Sequence, residues 1–565
     1  MGVSRRLSRM CPGLAAAGAM LVMAGAALLA QAPQEPLTTT QRIDQIFERW
    51  DRPGTPGCAV GVARQGRVVY THGYGMANLE YGVRIRPDTI FESGSVAKQF
   101  TAAAIGLLAL DGKLSIDDPV RRYVPELPDF GTPILIRHLL THTSGLRSQW
   151  SMLSLAGRPP GLAVHTIPEI LELVSFQKEL NFPPGDEFLY NNTAFTLLGV
   201  VVQRVSGKPL AEFSQERLFK PLGMNRTQWR DDFTKIVERR ATAYRVFPDG
   251  TFRTNMPFTH VIGNGGLLTT VGDLLIWNEN FDNPRVGGRA LVDQLQTRGR
   301  LNDGFEIAYA HGLFVQDYRG VREISHGGST AGYQTFLARF PDERLSVAVL
   351  CNTSGTNPGG YAHHVADVFL GDRLKPFLTV KAVEVPAEML GRAAGLYRDR
   401  STDACLRLTW DKEQKVVRAE GQALTPTGDG LLSTADASST LTFDTGGGGA
   451  AWPTAVPERI TERQRGAKPR VLHYELPWTP VPAQLAEFVG EYVSDELNVT
   501  YTVLEGDGGL VVRFRPAQCF PLAPAFTDGF EGDGDIFHFT RDVAGKVDGF
   551  HVYAGRVWHL RFVKK

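Results

Sequence analysis

The hydrophobic pattern of this chain changes at Pro376, and the two parts require different architectures. Before it, helix and strand signals alternate; after it, helical periodicity almost vanishes and short β-rich runs are separated by Gly and Asp turns. These runs are CLRLTW, STLTFD, VTYTVL, LVVRF, DIFHFT and WHLRF. The sequence therefore predicts an α+β region followed by an all-β region.

The β-rich region contains a weak internal repeat. Val-Pro-Ala at 385–387 and Gly-Leu-Tyr at 395–397 recur as Val-Pro-Ala at 481–483 and Gly-Glu-Tyr at 490–492. Such self-similarity predicts two copies of one small antiparallel β-barrel. A chain of 565 residues is also long enough for about three domains.

The N-terminus has the composition of a secretory signal. Arg5, Arg6 and Arg9 precede an apolar run that ends near Ala32. We expect cleavage there and a periplasmic or secreted protein; a retained membrane anchor stays open, since the run is almost long enough to span a bilayer. The predicted division is a signal peptide at 1–32, an α+β domain at 33–376, and β-barrels at 377–478 and 479–565.

Charge and cysteine content exclude several classes of protein. Sixty basic residues balance sixty acidic ones, so nothing favours a nucleic-acid partner. The Cys residues are too scattered for a zinc site or a disulfide scaffold. Cys58 and Cys351 lie in strand-like runs, which predicts buried thiols, with one bridge between them open. His363 and His364 lack a third ligand, so we expect no metal and no cofactor.

A candidate nucleophile lies in the stretch FESGSVAKQFTAAAIGLLAL at 91–110. Ser95 and Lys98 are three residues apart at the start of a long apolar helix, so their side chains share one face. A partly desolvated Lys at a helix N-terminus loses its proton more easily and can act as a base towards the hydroxyl. The alternative is an N-cap Ser with a snorkelling Lys. A second S-x-x-K, at 175–178, is followed by helix-breaking residues.

Two further polar groups precede the next long helix. Tyr190 and Asn192 follow a Pro-Pro-Gly loop, which predicts an exposed corner. A Tyr beside cationic groups can have its pKa lowered enough to relay protons. The Asn192 amide could donate to a substrate carbonyl.

A third motif is the segment His-Gly-Gly-Ser at 326–329. Its adjacent glycines let a ligand lie close to a backbone edge at Gly328. The Ser329 N–H could pair with the Ser95 N–H as an oxyanion hole. His326 alone would be an ordinary turn residue.

Together, S-x-x-K, Y-x-N and H-x-G in this order resemble the penicillin-recognising serine hydrolases, which include class C β-lactamases, DD-peptidases, D-aminopeptidases and related esterases. The resemblance spans nearly all of residues 40–352 and includes IRHLLTHTSGL, GGLLTTVGDLLIW and FPDERLSVAVLCN. It implies a β-lactamase/DD-peptidase-like fold for the α+β domain.

The resemblance also implies roles at matching positions. Ser95 would form an acyl-enzyme, with Lys98 and Tyr190 sharing the proton transfer. Asn192 would bind the substrate amide, and Gln149 would contact substrate. The edge formed by His326, Gly328 and Ser329 would hold the acyl part as an extra strand.

One departure bears on the substrate. Penicillin-binding relatives usually carry K-T-G, whereas this chain has His326, which is mostly neutral at pH 7. A neutral side chain at this position disfavours binding of a substrate carboxylate. The D-aminopeptidase branch also resembles this chain in its two β-barrels. The implied function is hydrolysis of D-amino-acid peptides or amides. A carboxylesterase, a class C-type β-lactamase and a penicillin-binding sensor without turnover remain alternatives.

The expected partner is a small peptide, amide or ester substrate; whether the chain is a monomer or a homodimer stays open. A loop from residues 440–455 or 524–535 could reach the catalytic cleft and restrict the substrate to a free amino terminus.

Overall fold

The computed structural model describes residues 37–377, 380–428, 430–444, 452–506, 509–515 and 518–565. The predicted signal peptide lies outside these ranges. Within them, no helix is long and apolar enough to cross a membrane.

The α+β part is built on one six-stranded antiparallel sheet. In spatial order its strands are Phe314–Tyr318, Val321–Thr330, Tyr333–Phe340, Leu345–Cys351, Cys58–Arg64 and Arg67–Tyr74. The last two form a hairpin, and Gln65 and Gly66 turn the chain with positive φ angles of 53° and 77°. The sheet thus joins the first and last strands of this part of the chain.

A disulfide joins Cys58 to Cys351 on the two adjacent central strands. Both residues are fully buried. The expectation of free buried thiols was therefore wrong, because strand register brings the two residues opposite one another.

Helices cover both faces of the sheet and give three layers. One face, which carries Val60 and Val349, packs on the helices Thr39–Phe47 and Pro358–Leu370. The other face packs on the main helical layer, whose core includes Phe100 and Trp277. The α-helices of that layer are Lys98–Leu110, Ile136–Leu140, Gln149–Leu155, Ile167–Ser175, Asn192–Ser206, Leu210–Ser214, Lys220–Leu222, Val271–Asp282 and Gly288–Gln296.

Short strands complete this part of the molecule. They form three small antiparallel sheets beside the main sheet. Their members are Met76–Asn78 with Val83–Arg84; Phe91–Glu92, Leu267–Thr269 and Gln228–Trp229; and Tyr244–Val246 with Phe252–Thr254.

Two closed antiparallel barrels of eight strands each follow, as the repeat predicted. The strands of the first barrel are Gly395–Arg398, Cys405–Asp411, Val416–Ala419, Gln422–Thr427, Leu431–Ser433, Ser439–Asp444, Arg459–Gln464 and Arg470–Glu475. Those of the second are Gly490–Ser494, Val499–Gly506, Gly509–Arg515, Gln518–Phe526, Gly529–Gly532, Asp535–Arg541, Val547–Tyr553 and Leu560–Lys564. Short helices, Ala387–Gly391 and Pro482–Ala486, precede them.

The repeated Gly-x-Tyr has the same structural role in both barrels. Tyr397 and Tyr492 are fully buried, and each hydroxyl donates a hydrogen bond to the carbonyl four residues earlier, of Ala393 at 3.0 Å and of Phe488 at 2.6 Å. A buried phenol needs such an acceptor. The repeat therefore marks the point where each barrel begins.

The second barrel packs directly on the helical layer. Its core residues Tyr501 and Phe562 belong to the same continuous apolar cluster as Leu153 and Leu155 of the helix Gln149–Leu155. The Tyr501 hydroxyl also donates to the Leu155 carbonyl at 2.6 Å. The barrel and the helical layer thus share one core.

Candidate active site

Ser95 lies at the sheet–helix boundary, in a 3₁₀ turn, Gly94–Ala97, that leads into the helix Lys98–Leu110. The α-helix therefore begins three residues later than predicted. Gly94 has φ +50°, and a Cβ there would lie 2.6 Å from the backbone nitrogen of Ser329. Only glycine allows this close approach, which brings Ser95 against the end of the strand Val321–Thr330.

Lys98 is buried and is held by three neutral groups. Its Nζ lies 3.1 Å from Ser95 Oγ, 2.9 Å from Asn192 Oδ1 and 2.6 Å from the carbonyl oxygen of Asn264. Burial lowers the pKa of Lys98 well below its usual value, and the charge of Arg556 adds to the effect. A Lys that readily becomes neutral next to a hydroxyl can accept its proton.

Tyr190 completes a compact group with this pair. Its ring centroid lies 4.9 Å from Lys98 Nζ, and its buried hydroxyl has no hydrogen-bond partner of normal geometry among the described residues. Burial raises the pKa of Tyr190, while the adjacent Ser95 side chain and the charge of Arg556 act in the opposite direction. The predictions of an exposed Tyr190 and of a lowered Tyr190 pKa were therefore wrong. The hydroxyl is buried, and its desolvation outweighs the effect of the nearby charges on the pKa.

Asn192 and Gln149 are placed differently. The Asn192 side-chain oxygen accepts from Lys98, and the residue lines the cavity described below, so its NH₂ group can face a ligand. Gln149 is buried, and neither atom of its side-chain amide has a partner among the described residues. The cavity wall at this point is formed by the next residue, Trp150. Substrate contact by Gln149 stays a prediction.

The His326 ring lies behind the site, among aromatic rings. Its Nε2 is 3.0 Å from the Tyr309 hydroxyl, and its Nδ1 is 2.6 Å from the carbonyl oxygen of Gly327. Burial lowers the pKa of His326 to about 3, with a further contribution from Lys98. The imidazole is neutral at pH 7, as expected from the sequence, and it orients Tyr309 rather than facing the cavity.

Gly328 and Ser329 form the strand edge that faces Ser95. A Cβ on Gly328 would lie 2.0 Å from the carbonyl oxygen of Ser93, so only glycine fits. Ser329 is exposed and lines the cavity, and its hydroxyl accepts from Gln334 Nε2 at 2.9 Å. The strand edge beside the nucleophile is thus open to an extended ligand.

A cavity of about 460 Å³ opens in front of Ser95. Its walls include Trp150, Met256 and Phe258, so it offers apolar surface as well as polar groups. Glu92, the carboxylate that lines it, is buried and paired with Arg230 and Arg240. The volume suits a small ligand.

Three residues near the Ser95–Lys98–Tyr190 group were not found from the sequence. The His142 ring packs against the Tyr190 ring with a tilt of 42° and 4.2 Å between ring centroids, and His142 Nδ1 accepts from the backbone N–H of Asn191 at 3.0 Å. Its segment, THTSGL, was a signal that could have identified it. No sequence signal identifies Tyr309 or Arg556 as a site residue, because neither lies near a motif.

Arg556 comes from the loop between the last two strands of the second barrel. Its guanidinium carbon lies 4.9 Å from the Tyr190 ring centroid. The loop 524–535, expected to reach the cleft, instead contacts the first barrel, where Glu531 pairs with Arg407 and Phe526 packs on Leu396. Part of the loop 440–455 lies outside the described residues.

No group of three His, Cys, Asp or Glu side chains able to hold a metal ion occurs in the part of the chain that the structure describes. His363 contacts Glu323 at 3.0 Å and stacks on Tyr318 at 4.0 Å, which is a packing role.

The chain thus combines an α+β layer fold with a hydroxyl–amine pair, Ser95 and Lys98, at the start of a helix, where a candidate nucleophile lies beside a candidate base. It belongs to the Beta-lactamase family, whose model matches residues 43–370.

The chain is also similar to three known proteins, of which the two solved structures support the fold. A D-aminopeptidase of Brucella canis is 29% identical over 300 residues, which cover 53% of this chain and 57% of that protein. The chain thus spans little more than half the length of this curated relative. The octameric penicillin-binding protein homologue from Pyrococcus abyssi has a similar structure, with a TM-score of 0.54, 21% identity, and coverage of 93% of this chain and 99% of that one. The D-amino acid amidase from Ochrobactrum anthropi SV3 matches with a TM-score of 0.50, 22% identity, and coverage of 59% and 99%.

Proposed function

We propose that this protein hydrolyses D-amino-acid peptides or amides through an acyl-enzyme on Ser95. The observation that carries the proposal is the buried Lys98 amine, 3.1 Å from Ser95 Oγ and surrounded by neutral partners. The D-aminopeptidase of Brucella canis supports the substrate class, since it is 29% identical to this chain over 300 residues.

In the proposed mechanism the neutral amine of Lys98 takes the proton of the Ser95 hydroxyl as Oγ attacks the substrate carbonyl. The backbone N–H groups of Ser95 and Ser329 stabilise the negative oxygen of the tetrahedral intermediate. Tyr190, neutral because it is buried, gives its proton to the leaving amine and is reprotonated by Lys98. Water then releases the acyl group by the reverse proton path, and Asn192 holds the substrate amide.

We also propose that the protein acts outside the cytoplasm. The Cys58–Cys351 disulfide supports this, because disulfides persist mainly in oxidising compartments. The basic and apolar N-terminal segment supports the same location.

A carboxylesterase is the second candidate. A D-aminopeptidase must recognise a substrate ammonium group, yet Glu92, the carboxylate that lines the cavity, is already paired with two arginines. An ester substrate without an ammonium group needs no free carboxylate in the cavity. This pairing is the observation that favours the ester.

The deciding experiment compares kcat/KM for D-alanine p-nitroanilide with kcat/KM for p-nitrophenyl butyrate, using residues 33–565 and Ser95→Ala as control. A ratio well above one, abolished in the control, supports the peptidase. Cleavage of the ester alone assigns the protein to the esterases. A burst of one equivalent without further turnover would identify a penicillin-binding sensor.

A further inference from the structure

The second barrel places a cation next to the proposed proton-transfer group. Arg556 is exposed, and its guanidinium lies over the Tyr190 ring, 4.9 Å from the centroid. Among the described residues, the guanidinium has no hydrogen bond and no carboxylate within ion-pair distance. A cation over an aromatic face is attracted by the ring, so the position is favourable without any anionic partner.

The loop that carries Arg556 is fastened to the helical layer at this residue and at Trp558, two residues later. The carbonyl of Arg556 accepts from the backbone N–H of Ser148 at 3.3 Å and from Asn181 Nδ2 at 3.2 Å. The backbone N–H of Trp558 donates to Asn181 Oδ1 at 2.8 Å. Arg147 donates to the Trp558 carbonyl at 3.0 Å. These bonds hold the loop in register with the segment that precedes Gln149.

The same neighbourhood contains several titratable groups, and no carboxylate of the described residues acts on the pKa of Lys98, His142 or Tyr190. The groups that face one another there come from six separate segments of the fold. They are Lys98, His142, Tyr190, Tyr309, His326 and Arg556. The permanently charged member is Arg556, since a guanidinium does not lose its proton in proteins.

The charge of Arg556 acts on the group in one direction. It lowers the pKa of Lys98 and of His142, after the larger effect of burial, and it opposes the burial-induced rise in the pKa of Tyr190. All three effects favour the less protonated form.

We propose that Arg556 is a positioning residue of the active site, and that the second barrel supplies through it the fixed positive charge that favours a neutral Lys98 amine. This inference rests on the proposed role of Ser95 and Lys98. The second barrel is then a functional part of the catalytic unit, and its docking controls the pH range of the enzyme.

The test is the pH dependence of kcat/KM for p-nitrophenyl butyrate in the full chain. Arg556→Gln removes the charge, Arg556→Lys keeps it, and Arg561→Gln removes an exposed charge from the adjacent strand of the same barrel. For Arg556→Gln we expect the acidic limb to move to higher pH by about half a unit or more. The loss of kcat/KM is then at least about threefold on the acidic limb and small on the alkaline plateau.

The controls separate charge from packing. We expect Arg556→Lys to restore most of the shift and Arg561→Gln to retain the wild-type profile. Raising the salt concentration should reduce the difference between wild type and Arg556→Gln, because an exposed charge is screened. An equal loss at every pH, or an unchanged profile, would overturn the inference.

The Ser95→Ala variant distinguishes a failure of the inference about Arg556 from a failure of the proposed function. Loss of activity in Ser95→Ala with an unchanged profile in Arg556→Gln overturns the role of Arg556 alone. Activity retained in Ser95→Ala overturns the proposed function and this inference with it. Because the Arg556 side chain is exposed, we expect its variants to unfold at the wild-type temperature.

Discussion

The buried ion pair between Arg147 and Glu496 fastens the second barrel to the helical layer, and its removal should be costly. The Arg147 side chain is fully buried and that of Glu496 is 6% exposed. Glu496→Leu leaves the guanidinium with two backbone carbonyl acceptors, of Trp558 and His559, and no counter-charge. Removing one partner of a buried pair costs about 3–5 kcal/mol, whereas replacing both by apolar residues is often neutral.

A double-mutant cycle measures this directly. We expect Glu496→Leu and Arg147→Met each to lower the free energy of unfolding by about 3–5 kcal/mol, and the double variant to lose less than about 2 kcal/mol. Urea unfolding followed by tryptophan fluorescence gives the three values. Single losses below about 1 kcal/mol, the range of exposed ion pairs, or a double loss equal to the sum of the singles, would refute the reasoning.

Three further predictions concern the proposed catalytic group and are measured as kcat/KM for p-nitrophenyl butyrate. Lys98→Arg should lose at least about 10²-fold at every pH, because a guanidinium cannot accept the Ser95 proton; a loss confined to one pH range would contradict this. Because burial lowers the pKa of Lys98, the wild-type rate should rise with pH and reach its plateau well below pH 10; a rise that continues to the usual lysine pKa would count against it. Gly328→Ala should abolish activity or folding, since its Cβ would lie 2.0 Å from the Ser93 carbonyl oxygen, whereas Gly327→Ala, with its nearest contact at 3.6 Å, should be tolerated; equal effects of the two substitutions would show that strand packing is not the cause.

Local features of the sequence predicted much of the fold. A glycine after a helix is a local signal for its end, and the helix Asn192–Ser206 ends at Gly207, which has φ +74°. The repeat that contains Gly-x-Tyr likewise predicted the two barrels. These features are determined by neighbours in the chain, which is why pattern alone identifies them.

The parts of the site that depend on distant contacts were not predictable. The carbonyl of Asn264 reaches Lys98 only because the chain folds back beside the helix Lys98–Leu110, and no residue type marks a backbone acceptor. Tyr190 has a raised pKa because other elements bury it, which its flanking loop does not indicate. Arg556 lies in a turn of a different β unit, so its position depends on how that unit docks.

The central claim, acyl transfer through Ser95, is tested most directly by intact-protein mass spectrometry during turnover of p-nitrophenyl butyrate. The account predicts a transient mass increase of one butyryl group, located by proteolysis on the peptide that contains Ser95 and absent in Ser95→Ala. Undiminished turnover in Ser95→Ala, or an acyl group on another residue, would contradict it.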